Sequence, residues 1–451
     1  AATYTGDLGW SSDIWKFAAG AYPVFKSQSL PLDADAIYMT KTPTRSSVNT
    51  TVIATGYSAL GRTVTYSSSN PAVATISSDG TISCLTRGTT NLTFSTQGDA
   101  YSKGVTVSVP FEVIEVVTNI TTAAQLSDIR YKPDASYTLS NDITVTGEWE
   151  PIGTTDAPFT GKLNGNGKII RGLRCSDPEG NAVGLFGVTK NAEITKLGIE
   201  DARMIGNTDV GAIVGILEAG KVSECYVANS YVEGYDHVGS LTGAMRSYED
   251  KSVLHQSTVV DCYASAEVYS RRYQAGGLSG LIDGGNMLRC YYAGKVGCVG
   301  SAAGIIAYIE GNKEGSIEDC LNLAPYIVGE NTERIITCID PTFLITTTLY
   351  NNYSLNASRL GTTIFDAAPR TDKSDSYNTC GANLTADADA LGSDFYKTTL
   401  NWDFDNVWKT VSEGNIYPVL KWQQTPLTSY MINVPSAPYV IYGDDNSSID
   451  L

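Results

Sequence analysis

The feature that most constrains this chain is a glycine-rich motif that recurs through its middle. The motif reads VGLFG from Val183, VGAIVG from Val210, VGSLTG from Val238, AGGLSG from Ala275 and AAGIIA from Ala302. The successive steps are 27, 28, 37 and 27 residues, and the long step contains the insertion RSYEDKSVLHQS after Met245. A period of this length is typical of solenoids, in which each repeat packs only against its neighbours.

A second motif alternates with the first, as ITKLGI, VSECYV, VVDCYA, MLRCYY and IEDCLN from Ile194, Val222, Val259, Met287 and Ile317. Two short β-rich runs cannot fold alone, whereas stacked coils pair each backbone N–H and C=O with a neighbouring coil. We therefore predict a right-handed parallel β-helix, with about ten coils if residues 136–422 all belong to it. Ile, Val, Leu and four equivalent cysteines should point inward. We expect the cysteines to be buried free thiols, with disulfides or metal ligation as the alternative: Cys225, Cys262, Cys290 and Cys320. The Tyr after each Cys should point outward or toward a corner.

A different pattern precedes the repeats, over residues 33–117. Val64 and Tyr66 alternate with polar neighbours, Asn70-Pro71 marks a turn, and Asp79-Gly80 indicates a tight hairpin. Short strands at this spacing are typical of a small β-sandwich. The segment TTAAQLSDIR from Thr121 then predicts one short helix, with Thr121 or Thr122 as its cap.

Both patterns resemble known families. The run SSNPAVATISSDGTI from Ser68 is similar to the bacterial Ig-like domain of group 2, and the repeats resemble the GLUG-motif family. The segments from Asn141 and Phe159 look like the entry coils of such proteins, and LNWDFDNVWKTVSEGNIYPVLKW from Leu400 looks like their final coil. The resemblance implies an all-β chain, an Ig-like sandwich followed by a β-helix. It also implies a secreted or cell-surface protein of the kind found in gut Bacteroides-type bacteria.

We expect four segments: 1–32 as a terminal-coil-like segment of a preceding β-helix unit or a cap, 33–117 as the Ig-like domain, 118–422 as the β-helix, and 423–451 as the first strands of another Ig-like domain. A longer repeat supports this division, because Trp10 and Trp402 are separated by 392 residues, as are Tyr38 and Tyr430. The chain is thus expected to be a monomeric unit of a tandem array. The alternative is that the N-terminal segment caps this same helix.

Charge and hydropathy exclude several partners. The net charge of −17 disfavours nucleic acid and anionic membranes, since both require clustered Lys and Arg. No stretch approaches the ~20 apolar residues of a membrane helix, so we expect no membrane insertion. We see no signal peptide and expect the numbering to begin in a mature or trimmed product.

The sequence offers little material for catalysis. His237 and His255 are its two histidines, and neither belongs to a metalloprotease or hydrolase motif. His237 is predicted to be a solvated loop residue at a repeat corner. Asn207-Thr208-Asp209 matches the NTD of polygalacturonases, but the accompanying elements are missing downstream. The tryptophans are expected to plug the ends of the core. We predict no catalytic residues, no metal and no cofactor.

The insertion is the predicted binding surface, because it interrupts the repeat where a structural coil would not need it. The residues are Tyr248, His255, Arg271, Arg272 and Tyr273. The first hypothesis is a cell-surface or secreted adhesion or structural protein whose ligand is an extracellular glycan or host protein. The alternative is an accessory module of a carbohydrate-active β-helix enzyme or of a secreted peptidase.

Overall fold

The structure, a computed structural model, describes residues 33–99, 102–310, 313–339, 347–355, 359–362, 393–410 and 417–423. It also describes residues 11, 14–16, 24–25, 368–369, 382–384, 440–442 and 448–450. Its chain forms two compact units, residues 1–116 and 117–451. Most of the predicted segments 1–32 and 423–451 lies outside the described residues.

The first unit consists of small sheets. A four-stranded sheet contains Arg45–Ser47, Val64–Ser68, Gly88–Thr96 and Thr106–Ile114, and a three-stranded sheet contains Thr51–Ile53, Ala74–Ile76 and Thr81–Cys84. Two-stranded pairs join Ile37–Lys41 with Thr55–Ser58 and Asp33–Ala34 with Ser102–Lys103.

Alternation along these strands builds one core. Phe94, Leu92 and Phe111 from the larger sheet pack in one cluster with Ile82 and Ala74 from the smaller sheet. The predicted Asp79-Gly80 hairpin is present, with Gly80 at φ +83°, and joins Ala74–Ile76 to Thr81–Cys84. The Ig-like assignment of this unit stays a prediction.

The second unit opens with the predicted helix, Ala123–Asp128, extended by a 3₁₀ turn at Ile129–Tyr131. The Thr122 hydroxyl accepts a hydrogen bond from the Gln125 N–H and so caps the helix. Leu126 and Ile129 are fully buried. Sequence periodicity and capping therefore located this helix correctly.

Most of the described part of the second unit that follows this helix is a parallel β-solenoid of about seven turns. Each regular coil has three faces. The chain passes first through a long face, then through a short face that we call the third face, and then through another short face that we call the second face. The long face contains Asn119–Ile120, Ser136–Leu139, Ile143–Thr144, Lys162–Arg171, Arg174–Ser176, Glu193–Glu200, Arg203–Ile205, Gly220–Ser223, Tyr226–Gly234, Ser257–Val260, Tyr263–Ser270, Gly285–Leu288, Tyr291–Tyr292, Lys295–Cys298, Gly315–Glu318, Leu321–Asn322, Tyr326–Val328, Thr347–Tyr350, Tyr353–Leu355, Arg359–Gly361, Ala368–Pro369 and Ala382–Leu384.

The other two faces are shorter. The third face contains Thr208–Val210, Asp236–Gly239, Gln274–Gly276, Ser301–Ala303 and Asn331–Glu333. The second face contains Phe186–Lys190, Val214–Glu218, Thr242–Arg246, Ser279–Asp283, Ile306–Ile309 and Ile336–Ile339. Strand pairing on both faces is parallel and in register from coil to coil.

The predicted cysteine ladder lies inside the solenoid. All four thiols are fully buried and free. Each donates to a backbone carbonyl of the preceding coil, as Cys262 does to Val222 at 3.7 Å and Cys320 to Met287 at 3.6 Å. Burial raises the pKa of Cys262 and Cys320 well above that of an exposed thiol. The inward orientation expected from the repeat is confirmed.

Beside the cysteines runs a stack of aromatic rings that we call the tyrosine ladder: Tyr226, Tyr263 and Tyr291. The ring centroids are 5.2 Å and 4.8 Å apart and the rings are nearly parallel. All three rings are buried, although residues after the cysteines were expected to face outward or toward a corner. What buries them is a segment from much later in the chain.

This segment, residues 393–410 and 417–423, we call the strap. It contains a π-helical turn, Phe395–Thr399, and a short antiparallel pair, Trp408–Lys409 with Val419–Leu420. Trp402 packs on Tyr291, Trp408 on Tyr263 and Tyr291, and Trp422 on Tyr226. The strap therefore runs along the flank of the solenoid toward earlier coils.

Hydrogen bonds fix the strap to the residue that precedes each of three ladder cysteines. The indole N–H of Trp402 donates to the Asp319 carbonyl at 2.9 Å, and that of Trp422 to the Glu224 carbonyl at 3.0 Å. Trp408 Nε1 donates to Asp261 Oδ1 at 3.4 Å. The ladder hydroxyls bond in return: Tyr263 donates to Gln423 Oε1 at 2.7 Å and Tyr291 to the Pro418 carbonyl at 2.8 Å.

Three sequence expectations are corrected by the strap. The segment from Leu400 is not a final coil, because it lies across coils instead of extending the stack. The solenoid accordingly has about seven turns and not ten. Trp402, Trp408 and Trp422 cover the flank and do not plug an end of the core.

Trp408→Ala is expected to lower the free energy of unfolding of the second unit by about 3–5 kcal/mol, since it empties a fully buried indole site. Thermal or denaturant unfolding followed by tryptophan fluorescence measures this loss. Val253→Ala, at a side chain that is 56% exposed, is the control and should change stability by less than about 0.5 kcal/mol. Equal effects of the two substitutions would contradict the packing described.

The four ladder thiols should not react with iodoacetamide in the native protein, because all four are fully buried and out of reach of the reagent. Peptide mapping after labelling, with and without guanidinium, measures their reactivity. Labelling of Cys225, Cys262, Cys290 and Cys320 before unfolding would show that the interior is open.

Candidate binding surfaces

The insertion after Met245 forms an antiparallel hairpin, Tyr248–Asp250 with Val253–His255, where the second face returns to the long face. The Tyr248 and His255 rings stack at 4.7 Å, and Lys190 Nζ lies 4.2 Å from the Tyr248 ring centroid. Asn191 Nδ2 donates to Tyr248 Oη at 2.7 Å. Tyr248 therefore holds the hairpin against the coils, and His255 stacks on Tyr248.

Arg271, Arg272 and Tyr273 lie at a different corner, between the long and third faces, so the five predicted residues do not form one surface. Arg271 Nη2 donates to the Gly206 carbonyl at 2.7 Å. The Arg272 guanidinium lies 5.3 Å from the Tyr273 ring centroid and 5.9 Å from that of Tyr235. We call Tyr235, Arg272 and Tyr273 the tyrosine–arginine corner, and its Tyr273 is 46% exposed.

A row of hydrogen-bonding side chains crosses the long face next to the hairpin, and we call it the polar strip. Strand register pairs Thr258 with Asn286, Asn286 with Ser316, and Ser316 with Thr348. Each of these residues belongs to a different coil. Because neighbouring coils lie ~4.8 Å apart, the strip presents one polar group at each such step along the solenoid.

The polar strip borders an open groove of about 430 Å³, lined by Gln256, Asn286, Glu314, Gly315 and Thr348. Ser316 Oγ donates to Asn286 Oδ1 at 3.1 Å, and Asn286 Nδ2 donates to Gln256 Oε1 at 3.3 Å. These bonds orient the Asn286 amide. A carboxamide has two N–H donors and two acceptor lone pairs, so it retains capacity for a ligand.

Tyr350 extends this surface. It lies two residues after Thr348 in the strand Thr347–Tyr350, and therefore on the same face of the sheet. Its side chain is 63% exposed. Reading the sequence did not single out Tyr350 or the strip, because both depend on coil register. The sequence signal that could have revealed the strip is a polar residue at the same repeat position in four successive coils.

A cluster of charged groups lies on the third face. Asp209 and His237 occupy equivalent positions in successive coils. His237 Nδ1 lies 3.0 Å from Asp209 Oδ1, and His237 Nε2 lies 3.7 Å from Asp236 Oδ2. Arg246 Nη2 lies 3.3 Å from Asp209 Oδ2. The cluster thus links two coils and connects the third face to the second.

The expectation of a solvated His237 is wrong, since its side chain is only 19% exposed. Burial and the charge of Arg246 lower the pKa of His237, but the hydrogen bond to Asp209 and the charges of Asp236 and Asp209 raise it more. The net pKa lies above the ordinary value. Burial also raises the pKa of Asp236, against the lowering effect of His237.

Among the described residues, no group of three or more His, Cys, Asp or Glu side chains is arranged to hold a metal ion. Within the same part of the chain, no helix is long and apolar enough to cross a membrane.

The fold has a solved counterpart. A crystal structure from Bacteroides ovatus, of a protein described as a candidate immunoglobulin A1 protease, superposes with a TM-score of 0.56. The two sequences are 21% identical, and the match covers 67% of this chain and 92% of that one. At this identity the likeness concerns the fold alone.

Partial sequence relatives also exist. The chain is 39% identical over 112 residues to halomucin of Haloquadratum walsbyi, and 40% identical over 78 residues to a protein of Evansella cellulosilytica named as a candidate Gly-rich membrane protein. These matches cover 24% and 15% of this chain but only 1% and 9% of the relatives. No family model matches the chain, so the Ig-like and GLUG resemblances stay predictions.

His237→Gln is expected to destabilise the protein more at pH 5 than at pH 8.5. A folded-state pKa raised above the ordinary value stabilises the fold below that value, and the contribution disappears as the pH rises through the folded pKa. Denaturant unfolding of both proteins across this range measures the difference. In a protein that already carries Asp209→Asn, the stability change caused by His237→Gln should depend less on pH. In the protein without Asp209→Asn, an equal loss of stability at pH 5 and pH 8.5 would refute the coupling.

Proposed function

We propose that this chain is a non-catalytic, secreted or cell-surface β-helix protein that serves adhesion by binding a neutral, linear glycan along the polar strip. The observation that carries the proposal is one hydrogen-bonding side chain per coil next to an exposed aromatic ring. Sugars are bound through amide and hydroxyl groups and through stacking on aromatic faces. Thr258, Asn286, Ser316 and Thr348 supply the polar groups, and Tyr350 supplies the ring.

The repeat itself favours a polymer as the ligand. A solenoid offers equivalent groups at ~4.8 Å intervals, and a linear polysaccharide offers equivalent hydroxyls along its own length. Several weak contacts can then form in parallel, which raises the overall affinity without any single strong contact.

Charge favours a neutral ligand. The four residues of the strip are uncharged, Lys221 lies in register with Thr258 on the adjacent coil, and Glu314 lies at the rim of the groove. The whole chain has a net charge of −17. Uronic or sulfated polymers would therefore be repelled, whereas neutral sugars would not be.

A binding role is preferred to a hydrolytic one because glycoside hydrolysis needs two carboxylates ~5–9.5 Å apart across the bond to be cleaved. Glu314 is the one carboxylate among the residues that line the groove. Asp209 and Asp236 are both committed to His237 on another face.

A location outside the cell is supported by the names of the similar proteins: a halomucin, a candidate membrane protein and a candidate immunoglobulin A1 protease. The last of these names is also compatible with the alternative that this chain is an accessory module of a secreted peptidase or carbohydrate-active enzyme.

A second candidate function is binding of a protein ligand at the tyrosine–arginine corner. Tyr and Arg dominate the energetics of protein interfaces. Here an exposed Tyr273 lies next to Arg272, and Val299, which is 45% exposed, follows at the same corner of the next coil.

The test is a panel of neutral and acidic polysaccharides with the intact chain, read by affinity electrophoresis and by release of reducing sugar. We expect retention on neutral linear glycans without hydrolysis. Tyr350→Ala and Asn286→Ala should each weaken binding by about tenfold, or ~1.4 kcal/mol. Tyr273→Ala is the matched control and should leave glycan binding unchanged.

Three outcomes would overturn this assignment. Absence of binding to every polysaccharide in the panel would exclude a glycan as the ligand. Loss of binding in Tyr273→Ala but not in Tyr350→Ala would move the site to the tyrosine–arginine corner. Release of reducing sugar would favour the enzyme alternative.

A further inference from the structure

Two segments of this chain share a sequence pattern. Residues 10–26 read WSSDIWKFAAGAYPVFK, and residues 402–421, within the strap, read WDFDNVWKTVSEGNIYPVLK. Trp10, Trp15 and Tyr22 correspond to Trp402, Trp408 and Tyr417 of the strap. The differences in length fall between these shared residues.

Backbone pairing repeats together with the sequence. In the strap, Trp408 pairs with Leu420 and Lys409 with Val419. Near the N-terminus, Trp15 pairs with Phe25 and Lys16 with Val24, also antiparallel. Each Trp-Lys is thus opposite the Val-Leu or Val-Phe of a YPV motif, in the same register. Chance similarity of two tryptophan-containing segments does not account for a shared register.

The strap residues that contact the tyrosine ladder are the ones shared. Trp402, Trp408 and Tyr417 pack on Tyr291, and the Pro418 carbonyl accepts the Tyr291 hydroxyl. Their counterparts are Trp10, Trp15, Tyr22 and Pro23, and Gln423, which accepts the Tyr263 hydroxyl, corresponds to Gln28. One contact residue departs: Trp422 corresponds to Ser27.

We propose that residues 10–28 are a second strap, and that their docking surface is the tyrosine ladder of another β-helix of this type. The ladder of the chain's own β-helix is already covered, since Tyr226, Tyr263 and Tyr291 are at most 1% exposed under the strap. The partner is therefore a second β-helix with the same row of stacked tyrosines, one whose ladder is not covered by a strap of its own. This inference is independent of the proposed glycan site.

A strap exchange in the full chain tests the proposal. Residues 402–423 are replaced by residues 10–28. The thermal midpoint of this variant is compared with that of Trp422→Ser, because residues 10–28 have Ser27 where the strap has Trp422. We expect the two midpoints to agree within about 5 °C. A control exchange in which both tryptophans of the inserted segment are Ser should unfold at least about 10 °C lower. Equal midpoints of the exchange and its control would overturn the proposal.

Binding in trans provides the second measurement. A fluorescent peptide of residues 8–28 is titrated with the full chain carrying Trp402→Ser and Trp408→Ser, which loosen its own strap. We expect binding that weakens at least about tenfold when Trp10 and Trp15 of the peptide are Ser, and little binding to the unmodified chain. Peptide binding that does not change with those substitutions, or that is equal for the unmodified and the loosened chain, would refute docking. If the loosened chain does not fold, the exchange experiment decides.

Discussion

The structure depends on backbone hydrogen bonding between coils that cannot satisfy their own polar groups. A coil of about 28 residues contains only short strands, and almost every strand of the solenoid pairs in parallel with the equivalent strand of the next coil. Register is the direct consequence. Once Val222 aligns with Val259, the neighbouring positions align as well, with one register shift between Ala228 and Tyr231, and repeated residue types form rows.

Rows explain how much could be predicted from the sequence. The repeat phase placed Cys225, Cys262, Cys290 and Cys320 in one buried line, and capping rules located Ala123–Asp128. The strap escaped prediction because its contacts join residues far apart in sequence, such as Trp422 and Glu224, and periodicity carries no information about them. The burial of the ladder tyrosines could not be foreseen without the strap.

The binding surfaces were only partly foreseeable for a related reason. The insertion was correctly recognised as a departure from the repeat, but Tyr248 packs against Asn191 and Lys190, and His255 stacks on Tyr248. Arg272 and Tyr273 belong to another corner, because the strand Tyr263–Ser270 separates the two sites. The pairing of Asp209 with His237 was within reach, since the two residues differ by one period, but neither residue type repeats along that row.

The direction of the strap has a mechanical consequence. Its indole N–H groups donate hydrogen bonds to Asp319, Asp261 and Glu224 in turn. The strap therefore reaches back over four coils from the distal part of the stack. Without it, a solenoid under tension could peel one rung at a time from its end. With the strap in place, a force on the distal coils is distributed over several coils at once, because strap contacts on different coils would have to break together. A tether that has to resist flow outside a cell would benefit from this arrangement.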